Sequence, residues 1–477
     1  MKKKDVNLQF IKSAVSLKNR FNDINQIKEW IKFQNEKVIV NVTKINFEKL
    51  DQWVFAEQTT NLVHRSGKFF SIDGIRVKTN SGVISEWEQP IINQPEIGYL
   101  GFIAKEFDGI LYFLLQAKIE PGNVNHVQLS PTLQATKSNY TQVHKGKTPA
   151  YLNYFVNAKP EQILLDQLQS EQGARFLKKR NRNIIIKVDE DISLLDNFIW
   201  LTLAQIKILM SEDNLVSMDT RTVISGIPFG SVEESAVDFY IETSSFLKKE
   251  SVRTGFLRST LIKDKALHTL DDLINFITKK KSYFELYVEK IPLVDVKSWS
   301  IEEDCIRHTD NKFFKVIAVK VEIDNREVVS WTQPMIEPAQ EGICAFVCKN
   351  IDGMPHFAVQ AKLECGNFDI IEFAPTVQCL TGNYRTSGVG HLPFLDCVLN
   401  AKKEQIIYDT VQSEEGGRFY KEQNRNMLVM VGDEVNINLP DNYVWMTLNQ
   451  LQTFIKFNNY INIQARSLIA AISFIDF

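Results

Sequence analysis

Cysteine is missing from the first 304 residues of this 477-residue chain; all six cysteines, Cys305, Cys344, Cys348, Cys365, Cys379 and Cys397, come later. A chain that builds so much of itself without cysteine does not depend on a disulfide framework, so the six read as reduced thiols. Cys344 and Cys348 are spaced like metal ligands. They lie in the apolar run Gly342-Ile343-Cys344-Ala345-Phe346-Val347-Cys348 with no second Cys/His pair nearby, and no metal is expected there. There is no run of about 18 apolar residues, and the basic opening Met1-Lys2-Lys3-Lys4-Asp5 leads into no apolar stretch of a signal peptide. The expectation is a cytoplasmic protein with no membrane partner. A net charge of −3 supplies no broad basic field, which argues against nucleic acid as a partner. Also missing are Gly-x-Gly-x-x-Gly, the Walker loop, Gly-x-Ser-x-Gly and His-Glu-x-x-His. Readings as a nicotinamide dehydrogenase, P-loop enzyme, α/β-hydrolase or zincin lose their support, and no bound redox cofactor is expected.

What is present is a duplication. A chain of this length, 44% hydrophobic and 24% charged, fits two globular domains. Displacing it by 244 residues lays 64–140 on 308–384 without a gap. The shared landmarks are Lys68-Phe69-Phe70 with Lys312-Phe313-Phe314, Trp87-Glu88-Gln89-Pro90 with Trp331-Thr332-Gln333-Pro334, and Asp108-Gly109 with Asp352-Gly353. Gln116-Ala117-Lys118-Ile119-Glu120 matches Gln360-Ala361-Lys362-Leu363-Glu364, and Pro131-Thr132-Leu133-Gln134 matches Pro375-Thr376-Val377-Gln378. After a slip of one residue or so the match continues through Gln169-Ser170-Glu171 and Gln412-Ser413-Glu414, Asn181-Arg182-Asn183 and Asn424-Arg425-Asn426, to Arg221 and Arg466. Self-similarity at this spacing means one fold built twice. The division it suggests is a first unit at 20–228, a connector at 229–285 and a second unit at 286–477.

Within a unit, β-rich runs at 68–77, 98–105 and 110–117 are punctuated by turn residues, including the hairpin signal Asp108-Gly109. Residues 161–179 place Ile163, Leu164 and Leu168 at helical spacing and read as one helix against the sheet. The charged stretch 233–281, with Leu270, Leu273, Phe276 and Ile277 at helical spacing, reads as a helical connector. The class is α+β.

Apolar residues kept in both copies, such as Phe102/Phe346 and Phe113/Phe357, are core. Polar residues kept in both serve a shared turn or a shared ligand. Gln116, Lys118 and Glu120 alternate on a strand and face one way, as do Gln360, Lys362 and Glu364. Such a line is either a salt-bridged surface or the floor of a cleft; the following Gly122-Asn123 and Gly366-Asn367 favour the cleft, because glycine permits close backbone approach. Pro-Thr-x-Gln leads through Thr136, Lys137 and Ser138 to Asn139-Tyr140, and through Thr376, Val377 and Gln378 to Asn383-Tyr384. These groups suit sugar or phosphate oxygens, or else a hydrogen-bonded turn. Arg175, Arg182, Arg418 and Arg425 offer forks for a diphosphate or simple surface ion pairs. Trp53 and Trp299 could stack on a base or serve as hydrophobic lids. His64 and His308 are equivalent histidines, with a structural role slightly favoured over acid–base work.

Trp-x-Gln-Pro, Gln-Ala-Lys-x-Glu-x-Gly-Asn, Pro-Thr-x-Gln, Gln-Ser-Glu and Asn-Arg-Asn, each present twice, together resemble the NDP-hexose 2,3-dehydratase family over nearly the whole chain. The resemblance implies two tandem Nudix-like domains, a homodimer, a dTDP-sugar pocket in each domain and no metal or other cofactor. A Nudix box aligned on Gly173 or Gly416 puts Gln167 or Thr410, and Ser170 or Ser413, where glutamates bind magnesium, leaving only Glu171 or Glu414. The implied reaction removes the C3 proton and the C2 hydroxyl of a dTDP-4-keto-6-deoxyglucose. It assigns Glu364 or His308 as base, Lys362 as donor to the C4 oxyanion and Tyr384 as acid, with Glu120, His64, Lys118 and Tyr140 as their equivalents. Trp53, Trp299, Ser170, Gln412, Ser413, Glu414, Glu415, Arg182 and Arg425 join the expected substrate-binding set. The unstable diketo product implies a downstream NADPH-dependent 3-ketoreductase. A Nudix-type nucleotide-sugar hydrolase and a non-catalytic nucleotide-sugar binder remain as alternatives.

Overall fold

Residues 3–17, 19–136, 148–324, 329–380 and 392–476 are described by the structure, a computed structural model. The first copy carries β1 (Val40–Ile45), β2 (Trp53–Phe55), β3 (Leu62–His64), β4 (Ser71–Thr79), β5 (Glu86–Asn93), β6 (Tyr99–Phe107), β7 (Ile110–Ile119), β8 (Val127–Pro131), β9 (Leu133–Ala135), β10 (Ile163–Ser170), β11 (Arg180–Lys187) and β12 (Phe198–Thr202). The second repeats the series as β13 (Leu286–Ile291), β14 (Trp299–Ile301), β15 (Cys305–His308), β16 (Phe314–Ile323), β17 (Ser330–Pro338), β18 (Gly342–Ile351), β19 (Met354–Leu363), β20 (Ile371–Ala374), β21 (Val377–Leu380), β22 (Ile406–Ser413), β23 (Gln423–Val431) and β24 (Tyr443–Met446). The described helices are α1 (Lys3–Val15), α2 (Ile24–Glu36), α3 (Leu152–Val156), α4 (Leu203–Leu209), α5 (Met218–Ser225), α6 (Glu234–Thr243), α7 (Val252–Leu261), α8 (Leu270–Tyr283), α9 (Leu395–Leu399), α10 (Leu448–Ile455) and α11 (Ile463–Ala471).

Each copy forms a large mixed sheet, ordered β10-β11-β6-β7-β12 in the first and β22-β23-β18-β19-β24 in the second, with two short strands appended. The β6–β7 and β18–β19 hairpins turn on Asp108-Gly109 and Asp352-Gly353, whose φ values of 50°, 78°, 51° and 79° are those of a tight hairpin turn. Equivalent helices start with the same device: Thr202 and Gln205 box the end of α4, Thr447 and Gln450 that of α10. The phenylalanines shared by the copies, Phe102, Phe113, Phe346 and Phe357, are fully buried in one core that runs through both halves. Each contributes about 1.5–3 kcal/mol by leaving water.

The small sheets show how closely the copies are joined. β1 pairs with β16 of the second copy, and β13 pairs with β4 of the first, so each copy completes its small sheet with the other's first strand. Trp53, Phe70 and Phe176 then share a core with Ile306, Phe314 and Phe419.

Residues 161–179 do not form a helix. Their first part is β10, antiparallel to β11, and the segment after Ser170 is a turn. Ile163, Leu164 and Leu168, which suggested a helical face, are only half-buried. The strand's backbone groups are taken by β11 and its Gln169 and Ser170 side chains by the other copy, so tertiary pairing overrides the local pattern. The comparison with a Nudix box, made on that helix, loses its footing. Residues 233–281 hold α6, α7 and α8; on α8, Leu273 and Ile277 are buried and Phe276 stacks on Phe373 at 6.3 Å. Among the described residues no helix is long and apolar enough to cross a membrane.

Candidate active site: two polar clusters built by both copies

The floor strands leave the large sheets at Gly122 and Gly366, where the copies cross. Gly122 N–H donates to Gly416 C=O (2.7 Å) and Gly366 N–H to Gly173 C=O (2.6 Å). A Cβ on Gly122 would run into the Phe419 carbonyl, and one on Gly366 into that of Phe176. Glycine is required here by proximity rather than by a positive φ. The crossing brings 170–173 of the first copy over Glu364, and 413–416 of the second over Glu120.

Two buried arginines brace the exchange. Arg221 of α5 donates to the Ser413 carbonyl and to Ser467 Oγ; Arg466 of α11 donates to the Ser170 and Ile461 carbonyls and, at 3.0 Å, to Thr222 Oγ1. Burial lowers the Arg466 guanidinium to about 10, with Glu372 and Glu171 pulling it back up.

In the first cluster, the candidate pocket of the first copy, Lys118 and Glu120 share a face, as the alternation predicts, and form an ion pair at 2.8 Å. Gln128 stands beside Lys118 in the β7–β8 ladder and donates to Ser413 Oγ at 2.6 Å. Asp219 and Glu415 add two more carboxyls. Burial raises both, Asp219 strongly, and the carboxylates of Glu120 and Glu415 push Asp219 further.

The second pocket uses the same floor differently. Lys362 Nζ donates to the Gln378 carbonyl at 3.3 Å, while Glu364 accepts from the Gln378 amide at 2.9 Å. Gln378 is oriented by Asn462, which donates to its Oε1 at 2.8 Å. Glu364 is raised by burial, against the pull of Lys362 and the Gln378 hydrogen bond. Where the first pocket has Gln128, the second has Glu372, opposite Lys362 in the ladder and accepting from Ser170 Oγ at 2.9 Å. Burial lifts this carboxyl to about 7. Gln464 and Gln172 stand where the first pocket has Asp219 and Glu415.

The other expected residues divide. Glu414 accepts from Gln172 (2.6 Å) and Asn424 (2.7 Å), and Gln412 donates to the Met210 carbonyl (2.6 Å), so both tie the copies together. Thr376 is fully buried, donates to the Ala358 carbonyl and accepts from Val347 N–H, which favours the hydrogen-bonded-turn reading. Val377 is core, because β21 lies against β18. Arg182 and Arg425 are each held by both oxygens of a neighbouring carboxylate, Asp166 and Asp409, which favours the ion-pair reading. Arg182 also lines a cavity of about 370 Å³ with Lys456 and Asn458. Arg175 lies over Phe314 and Arg418 over Phe70, each across the exchange.

Trp53 is buried in the shared core and Trp299 half-buried; their indole N–H groups donate at 3.1 Å to the carbonyls of Thr332 and Glu88 in the opposite copy, which favours the packing role. His308 contacts Trp299, Phe313 and the Asp310 N–H within its own small sheet, and burial lowers its pKa. Those contacts do not bring it to Lys362 or Glu364. Thr136 is half-buried at the edge of the described chain. Lys137, Ser138, Asn139, Tyr140, Asn383 and Tyr384 lie outside the described residues.

Asp219, Gln128, Glu372, Gln464 and Gln172 were missed. All are buried or half-buried polar residues that differ between the copies, and comparing the copies only for identities passes over them.

Two linked clusters, each setting an ammonium beside carboxyls that burial raises above their ordinary range, suit acid–base chemistry on a polar ligand. The model of the NDP-hexose 2,3-dehydratase family matches residues 24–227 and 270–472, and the chain belongs to that family. It is similar to the dTDP-4-dehydro-6-deoxy-alpha-D-glucopyranose 2,3-dehydratase of Saccharopolyspora spinosa, with 42% identity over 97% of this chain and 94% of that one. The enzymes of the same name from Amycolatopsis orientalis (42%; 94% and 89% covered) and Streptomyces violaceoruber (40%; 95% and 98%) are comparably similar.

Proposed function

We propose that this protein removes water across C2 and C3 of dTDP-4-dehydro-6-deoxyglucose, giving a 3,4-diketo-2,6-dideoxy sugar nucleotide. The carrying observation is near-full-length similarity to three relatives named for that reaction, with both copies matching the family. The C4 ketone acidifies the C3 proton. A base removes it, a donor holds the charge arriving on the C4 oxygen, and the C2 hydroxyl leaves with a proton.

The second pocket suits this division of labour. Gln378 engages Lys362 through its carbonyl and Glu364 through its amide, whereas Lys118 and Glu120 are joined directly. Glu364 is read as the base and Lys362 as the donor; for the leaving hydroxyl the sequence offers Tyr384. The units are read as 20–228 and 286–477 around 229–285, each Nudix-like, in a cytoplasmic homodimer. The unstable product calls for an NADPH-dependent 3-ketoreductase.

The test is to incubate chelator-treated protein with dTDP-4-dehydro-6-deoxyglucose, with and without a 3-ketoreductase and NADPH, and follow the sugar by mass spectrometry. A reduced product lacking the C2 oxygen is expected. Unchanged substrate, or diphosphate cleavage on adding magnesium, would overturn the reading.

A further inference from the structure

We propose that Glu372 is the acid that protonates the C2 hydroxyl as it leaves, its other oxygen held by Ser170 of the first copy. The proposal rests on the dehydratase reading and transfers to Glu372 the role that the sequence offers to Tyr384.

The geometry is specific to the second pocket. Glu372 and Lys362 are direct partners in the β19–β20 ladder, so their side chains rise from one face with Cβ atoms about 5 Å apart. Glu364, two residues beyond Lys362, belongs to the same face and lies close enough for its charge to act on Glu372. Glu372 is 1% exposed, and while Oε2 accepts from Ser170 Oγ, Oε1 has no partner among the described residues. Leaving a buried carboxyl oxygen unpaired is costly unless a ligand supplies the missing contact. Nearby, Asn367 Nδ2 is also buried without a partner, and so is Oε1 of Gln464, the counterpart of Asp219. The unmet groups describe a wall built to receive polar groups of a ligand. At the equivalent place in the first pocket, the Gln128 amide is spent on Ser413 and has no proton to transfer. Burial, opposed by Arg466 and Lys281, keeps the Glu372 carboxyl near 7, where it can carry and release a proton at neutral pH.

The electron and proton balance is simple. Glu364 takes the C3 proton, the C3–H pair becomes C3=C4, and negative charge reaches the C4 oxygen at Lys362. The enolate then re-forms C4=O, its pair moves to C2=C3, and the C2–O bond breaks. The departing oxygen takes the Glu372 proton and leaves as water. Glu364 ends protonated and Glu372 ionised, and exchange with solvent restores both.

The test compares Glu372→Gln, which installs the residue of the first copy in an isosteric form, with wild type, Glu364→Gln and Tyr384→Phe. Three readouts are followed in deuterated water: deuterium entering C3, loss of the C2 oxygen, and fluoride release from the 2-deoxy-2-fluoro analogue, whose leaving group needs no proton. For Glu372→Gln, dehydration should fall by roughly 100-fold or more. Deuterium exchange should persist, and fluoride release should stay within about tenfold of wild type. Dehydration within tenfold of wild type, loss of exchange, or fluoride release falling with dehydration would each overturn the proposal. So would finding the three-part pattern in Tyr384→Phe instead. If Glu364→Gln leaves both exchange and dehydration intact, the underlying reading of this pocket fails, a result distinct from these.

Discussion

The two pockets are copies of one floor on which different side chains have been set. The first closes Lys118 on Glu120 at 2.8 Å and surrounds the pair with Asp219 and Glu415, so that three carboxyls face one ammonium. In the second, Lys362 turns to the Gln378 main-chain carbonyl while Glu364 takes the Gln378 side-chain amide, Gln464 and Gln172 replace Asp219 and Glu415, and Glu372 replaces Gln128. What the copies share explains how the chain folds; where they differ is where their chemistry parts. In a direct ion pair each charge is spent on the other, whereas Lys362 and Glu364 are each held by a neutral group of Gln378.

The strongest perturbation should fall on what the pockets have in common. Gly122→Ala and Gly366→Ala each push a Cβ into a backbone carbonyl across the exchange, and each should cost about 4 kcal/mol or more, seen as loss of soluble protein or a large drop in the urea midpoint. A large difference between the two would break the equivalence. Next, Glu364→Gln should lower dehydration by roughly 10²- to 10⁴-fold, while Glu120→Gln should lower it less than about tenfold. Steady-state rates in the coupled reductase assay decide this, and equal losses would erase the distinction between the pockets.

A third effect belongs to the second pocket alone. Folded Glu372 keeps its proton to about 7, whereas an ordinary glutamate titrates near 4.5. Between those values the folded state binds the extra proton, so this group's contribution makes stability fall as pH rises, and it levels off above the window. Relative to wild type, Glu372→Gln should therefore gain about 3 kcal/mol between about pH 4 and pH 8, measured by urea unfolding at both. The smallest effect should come from Arg182→Ala and Arg425→Ala. Both ion pairs are partly exposed and solvent-screened, so each loss should be about 0.5 kcal/mol or less by the same measurement.

Much of this was legible in the sequence. The hairpin at Asp108-Gly109 was carried by turn chemistry, the shared face of Lys118 and Glu120 by strand alternation, and the duplication by its constant offset. The 161–179 segment was misread because three apolar residues matched a helical period while the decisive partners, β11 and the opposite copy, lie far away in sequence. Ser170 was picked for its repetition, but its meeting with Glu372 depends on a crossing no local pattern encodes. The exchange of β1 and β13 was invisible for the same reason: a strand's sequence states that it pairs, and not with which copy.

That exchange makes the chain, in topological terms, a domain-swapped pair written on one polypeptide. Neither copy owns a complete small sheet, and neither can wall a pocket without 170–173 or 413–416 from the other. Cut at the connector, the halves would not be two smaller enzymes; each would be a receptor for the other's first strand, and activity would return only with their reassembly.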